Sequence, residues 1–275
     1  MSVDLEETMD IVANESPLVN AITNAVTVND VAQIILHWGG LPVMADDERE
    51  VGDMVAASEA CLLNMGTVSE AGESAMLAAG RAANDAGVPV VVDPVGAGST
   101  PTRDRVATRL LTELDVAILK GNHGEITSLT GDDAAVRGVE SVGEYRDIAT
   151  TAVACAREYE TVVVASGETD VVATADMASE VTAGHPQLGT VVGTGCMLGG
   201  SLATVAGAVE DPKRAALAGT VAFGLAGEAA AAGEFGAVHG PGSYNVAFKD
   251  AVAGLRDTAL DSVDDRLQQV VEQQP

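Results

Sequence analysis

The chain has 275 residues with 41 acidic and 14 basic side chains, a net charge of −27, and a composition that is 47% apolar but only 3% aromatic. That length suffices for a large core, which must be built from Ala, Val, Leu and Ile, while the lack of any Lys/Arg cluster excludes a nucleic-acid backbone as partner. The acids are scattered and form no block or tail, which fits a halophilic surface better than one made for a basic partner; in molar salt a Debye length of about 3 Å relieves their repulsion.

The N-terminal stretch has neither a cationic start nor an apolar h-region, and the uncharged run 215–227 is too short to span a bilayer. A soluble, cytoplasmic protein is expected. Cys61, Cys155 and Cys196 lie far apart with no CxxC, against a disulfide framework or a structural zinc.

In chain order, β-branched runs predict strands at Leu18–Ile22, Leu41–Met44, Ala60–Leu63, Val88–Val92, Val116–Leu119, Thr161–Ala165 and Val171–Thr174. Weaker signals stand at Glu180–Thr182 and just before Gly193. Helical patterns fill the intervals at Thr27–Trp38, Ser69–Ala86, Arg103–Glu113, Val142–Glu158, Cys196–Ala208, Pro212–Gly233 and Ser243–Gln269. The alternation predicts an α/β fold, a mostly parallel central sheet with helices on both faces, as a single domain over 1–275. Ligands of such sheets bind where strands end, so the loops carry the chemistry.

The richest of these is Gly193-Thr194-Gly195-Cys196, read as a strand end, a glycine turn and a helix start. Backbone N–H groups and the helix dipole make it an anion hole, and they predict a lowered pKa for the Cys196 thiol. The same pattern also serves as plain α/β packing with Cys196 as a small core residue. Asp93 ends a buried-looking strand before Pro94-Val95-Gly96-Ala97-Gly98; it either holds hydrated Mg²⁺ or a hydroxyl, or caps the following turn. Asn122 and Glu125 share a face, either as a capping box or with Glu125 joining Asp93 in arranging Mg²⁺ and water beside a nucleotide triphosphate. Lys120 is one of only three lysines, and phosphates explain a cation at its strand end. There is no P-loop, no G-x-S-x-G elbow, and Pro101 stands where a third dinucleotide-binding glycine belongs.

Taken in order, SPLVNAITNAVTVND, LPVMA, LLNMGT, VPVVVDPVGAGSTP, ILKGNHGEI, ASGETDVV, GTGCMLGG and HGPGSY resemble the hydroxyethylthiazole kinases of thiamine salvage, a ribokinase-like group, over 16–244. The resemblance implies transfer of the ATP γ-phosphoryl group to the primary hydroxyl of 4-methyl-5-(2-hydroxyethyl)thiazole, with Mg²⁺, in a homotrimer with sites between subunits. It places Met44 and Gly193 at substrate positions. Lys120 and Ser166 fall at ATP positions, where better-known members have Arg and Thr. Cys196 stands where many ribokinase-like enzymes have Asp, and would orient the substrate hydroxyl or accept its proton. Rival readings are a kinase for another small alcohol, such as hydroxymethylpyrimidine or a sugar, and the same-fold dehydratase of hydrated nicotinamide nucleotides.

Overall fold

The computed structural model describes residues 3–131, 136–137, 140–141, 148–255 and 263–272. Its elements run α1 (Leu5–Glu15), β1 (Leu18–Ile22), α2 (Val28–His37), β2 (Leu41–Val43), α3 (Val51–Ala56), β3 (Ala60–Asn64), α4 (Glu70–Ala86), β4 (Val90–Asp93) and α5 (Pro101–Glu113). They continue with β5 (Ile118–Asn122), α6 (His123–Leu129), β6 (Val136–Arg137), β7 (Glu140–Ser141), α7 (Ile148–Glu158), β8 (Val162–Ser166), β9 (Asp170–Ala173) and β10 (Met177–Val181). α8 (Thr194–Ala208), α9 (Pro212–Ala232), α10 (Pro241–Gly254) and β11 (Leu267–Glu272) complete the chain.

Helix boundaries follow their capping residues. Ser69 and Thr100 accept backbone N–H groups at the starts of α4 and α5, and Asp211 with Pro212 opens α9. Gly87 closes α4 in the left-handed region, φ 72°.

One nine-stranded sheet has the order β11-β10-β9-β8-β5-β4-β3-β1-β2. From β2 to β8 the pairing is parallel, and β9, β10 and β11 add antiparallel strands at one side. The two-residue period of a strand sorts neighbours to opposite faces. Leu62, Val91, Ile118 and Val164 pack with α1, α2, α8, α9 and α10, whereas Cys61, Leu63, Val92 and Leu119 pack with α3 to α7.

The low aromatic content has its counterpart in α8 and α9. Both are apolar on nearly every side and rich in Gly and Ala, so backbones approach closely. Along α8, Gly195, Gly199 and Gly207 face the sheet: a Cβ at each would stand 3.1 Å from Lys120 Nζ, 3.4 Å from Asp93 Oδ2 and 3.3 Å from Ala60 Cβ. α9 is long and apolar enough to cross a membrane by length and composition, yet 78% of its most apolar window is buried.

Three readings need correction, and a fourth lies partly outside the described residues. No strand precedes Gly193; a 3₁₀ turn, Pro186–Thr190, occupies that stretch. The helix expected over Ser243–Gln269 ends at Gly254, and Leu267–Glu272 is strand β11 against β10. The helix expected over Val142–Glu158 is α7 from Ile148, with 142–147 outside the described residues. α1 and α3 were not expected. α1 forms because Asp4 caps it and Leu5, Met9 and Val12 line one buried face.

Candidate active site

Register and face together assemble the site. Asn64 and Asp93 end β3 and β4 as paired residues, and Lys120 lies two residues after Ile118 on β5, so period two turns all three toward α8. Lys120 Nζ is 3.3 Å from Asp93 Oδ1, and the two side chains are 4% and 0% exposed. Lys120 lies within β5 and not in the loop beyond it.

α8 brings its N-terminus over this pair. Gly193 adopts φ 92°, and a Cβ there would come 2.6 Å from Thr27 Cγ2, so both conformation and space require glycine. Met197 N–H donates to the Gly193 carbonyl. The amides of Thr194, Gly195 and Cys196 therefore precede the first intrahelical bond and stand at the positive end of the helix. Thr194 Oγ1 donates to the Leu188 and Val191 carbonyls and ties the incoming segment to the turn.

Cys196 is 9% exposed, and its Sγ accepts from Asn24 Nδ2 at 3.5 Å. Burial pushes the thiol pKa up and the Asp93 charge adds to this, against the opposing pull of Lys120. The lowered pKa expected from the helix terminus is overturned: loss of water and a neighbouring carboxylate outweigh the dipole. Burial likewise raises Asp93 against Lys120 and Asn64. Burial works against the Lys120 ammonium, yet Asp93, Glu125 and Cys196 together hold its pKa above the usual value.

Glu125 closes a capping box on α6: Asn122 Oδ1 accepts its N–H while Oε2 accepts the Asn122 N–H at 2.7 Å. Oε1 accepts the Gly96 N–H at 2.6 Å, so this carboxylate also ties the loop after β4 to β5. Burial raises it to about 7 against the pull of Lys120, with Asp93 adding to the rise. Among the described residues no group of three or more His, Cys, Asp or Glu side chains could hold a metal ion. The carboxylates do not fit a resident ion held by protein alone. They do fit Mg²⁺ brought by a triphosphate, because each oxygen keeps a lone pair for a bridging water.

Ser166 ends β8 paired with Asn122, and its Oγ donates to the Gly121 carbonyl at 3.3 Å. Met44 follows the edge strand β2, half-buried against the α8 side of the core. Asp93 and Lys120 thus come together directly, Cys196 joins them through Asn24 and Asn64, Glu125 borders them through Gly96, and Ser166 and Met44 lie on strand ends to either side. Asn24, Thr27 and Asn64 complete the cluster and were not singled out from sequence; their only signal was position inside the quoted motifs.

The strand order gives the chain a ribokinase-like fold: a ribokinase-like superfamily protein from Enterococcus faecalis superposes with a TM-score of 0.63 at 11% identity, covering 90% of this chain and 94% of that one. The family model of the Hydroxyethylthiazole kinase family matches residues 9–258. A hydroxyethylthiazole kinase from Natronomonas pharaonis is 62% identical over 272 residues, 98% of this chain and 97% of its own length. The solved structure of a hydroxyethylthiazole kinase from Pyrococcus horikoshii superposes with a TM-score of 0.83 at 32% identity, covering 97% and 98%. The chain belongs to the hydroxyethylthiazole kinase family and is a phosphotransferase.

Proposed function

We propose that this protein, as one domain, transfers the γ-phosphoryl group of ATP to the primary hydroxyl of 4-methyl-5-(2-hydroxyethyl)thiazole in thiamine salvage. The observation that carries the reading is the Asp93–Lys120 pair buried beneath the amides that open α8. Phosphoryl transfer asks a protein to place acceptor and phosphate in line and to spread charge. The Gly193–Cys196 amides meet the charge of the moving phosphoryl group. Lys120 adds a fixed cation below them, and Ser166 offers a hydroxyl to ATP. Met44 and Gly193 border the thiazole. Asp93 and Glu125 would hold Mg²⁺ carried by the triphosphate, and the ion would supply charge neutralisation at the phosphates. Cys196, with its raised pKa, orients the hydroxyl more than it removes the proton.

A homotrimer with sites between subunits fits the apolar surface. Val26 and Val192, 72% and 76% exposed, flank Thr27 and Gly193, and Val28, Leu36 and Val246 continue the exposed apolar surface on α2 and α10. The net charge of −27 suits a cytoplasm of molar salt. ADP release from Mg-ATP in molar KCl, with and without the thiazole alcohol, tests the function. Thiazole-dependent turnover to the phosphate ester is expected; no stimulation in a folded protein would end the reading. Sedimentation equilibrium in the same salt tests the trimer, and a fully active monomer would exclude it.

A further inference from the structure

Two buried amides, 5% and 2% exposed at Asn24 and Asn64, stand between the thiol and the carboxylate. Asn24 Oδ1 accepts the N–H groups of Val26 and Thr27 at 3.0 and 3.1 Å. Backbone donors thereby settle which end of the amide is oxygen. Its Nδ2 lies 2.8 Å from Thr27 Oγ1, 3.0 Å from Asn64 Oδ1 and 3.5 Å from Cys196 Sγ. Asn64 is settled in the same way, because Oδ1 also accepts the Gly66 N–H at 3.0 Å. Its Nδ2 donates to Asp93 Oδ2 at 2.6 Å.

The pair therefore presents a donor at each end, one to sulfur and one to carboxylate. Amides keep their protons at neutral pH, so the pair fixes positions and does not pass a proton. Both lone pairs of Asn64 Oδ1 are spent inside the protein, and Nδ2 holds Asp93 with one proton while the same amide also reaches Cys196. This leaves Asp93 Oδ1 turned to Lys120.

We propose that Asn64 and Asn24 are positioning residues for phosphoryl transfer: Asn64 fixes the Asp93 carboxylate against Lys120, and Asn24 fixes Cys196 Sγ from the same scaffold. The loop after β1 and the end of β3 thus set the two reactive ends relative to each other. The proposal rests on the assignment of Asp93 and Cys196 to the transfer site.

The test is a cycle of Asn64→Ala, Asp93→Asn and the double variant in the full-length protein, read in kcat, in KM for both substrates and in melting temperature. Asn64→Ala is expected to lower kcat by about 10- to 100-fold, as misplacement does, with KM for the thiazole alcohol within about threefold. In the Asp93→Asn background the same change is expected to cost less than about twofold, the non-additivity of one residue acting through another. The fall in melting temperature is likewise expected to shrink there. Equal losses of kcat in both backgrounds would overturn the proposal, as would a raised KM with kcat unchanged, which marks substrate contact. Asp93→Asn with unaltered kcat would instead remove the site reading beneath it, a distinct result that also removes the proposal. Should Asn64→Ala fail to fold, Asn64→Ser reaches one bond less far and gives the same cycle.

Discussion

Two carboxylate–cation groupings in this protein look alike in a list of contacts and differ in kind. Glu73 on α4 holds Arg105 and Arg109 of α5 at 2.6 and 2.5 Å, with those arginine side chains 53% and 40% exposed. Asp93 holds a single lysine at 3.3 Å with neither side chain more than 4% exposed. The guanidinium hydrogen bonds keep the Glu73 pKa down to about 2, whereas burial drives Asp93 up despite its partner. The outer grouping is shorter and better formed, as expected of a clasp between helices in water. The inner one gives up hydration for a longer contact, and the proposed role of Lys120 toward phosphate would account for that loss.

Lys120→Met separates the two cases most sharply. Leaving Asp93 buried beside an uncharged chain is expected to cost about 3–5 kcal/mol of stability, read by denaturant unfolding in molar KCl, and to abolish turnover. Lys120→Met combined with Asp93→Asn should regain stability without regaining activity; recovery of both would make the pair merely structural. Gly195→Val comes next. Its side chain enters where Lys120 Nζ already lies, and kcat should fall about 10²–10³-fold, the cost of losing an anion-hole donor. Cys196→Ala should cost only ~10-fold, below the 10²–10⁴ of a working general base. A total loss there, with Gly195→Val near normal, would reverse the ranking.

A milder effect lies in the hairpin that carries Ser166. Asp170 Oδ1 accepts the Gly167 N–H at 2.9 Å, and burial raises its carboxyl to about 6. A raised carboxyl pKa favours the folded state below the unfolded value of about 3.9. That contribution is lost as pH rises through about 6. Urea midpoints between pH 4 and 7 should therefore fall less steeply in Asp170→Asn than in the wild type, and parallel curves would refute the assignment. Last, Glu73→Gln should lower the melting temperature by about 2–4 °C, the loss of about 1 kcal/mol of charge-assisted hydrogen bonding, with wild-type kcat.

What could be read from the sequence follows from the kind of signal each residue sends. Asp93, Lys120 and Cys196 stand out because a strand end, a rare cation and a glycine turn are local patterns. Asn24 and Asn64 carry no charge and no spacing rule, and strand register brings Asn64 beside an aspartate 29 positions away in sequence. Leu267, Val270 and Val271 have helical spacing, yet pairing with β10 makes them strand, a tertiary decision that local propensity does not contain. β9 and β10 were signalled as strands, whereas their antiparallel pairing was hidden for the same reason. The low thiol pKa failed because helix geometry is legible in a sequence and burial beside Asp93 is not.

The glycines of α8 that face the sheet act together as a spacer of zero thickness. Gly195, Gly199 and Gly207 let the helix rest on Lys120, Asp93 and Ala60, so the height of its N-terminal turn above Lys120 is set by the absence of methyl groups along thirteen residues of helix. A side chain added at Gly195 or Gly207, where a Cβ already meets a neighbour at 3.1 or 3.0 Å, would work as a shim and retune the gap at the far end. In this protein the clearance at the proposed transfer site is machined along a packing face, and a residue as far along the helix as Gly207 helps to set it.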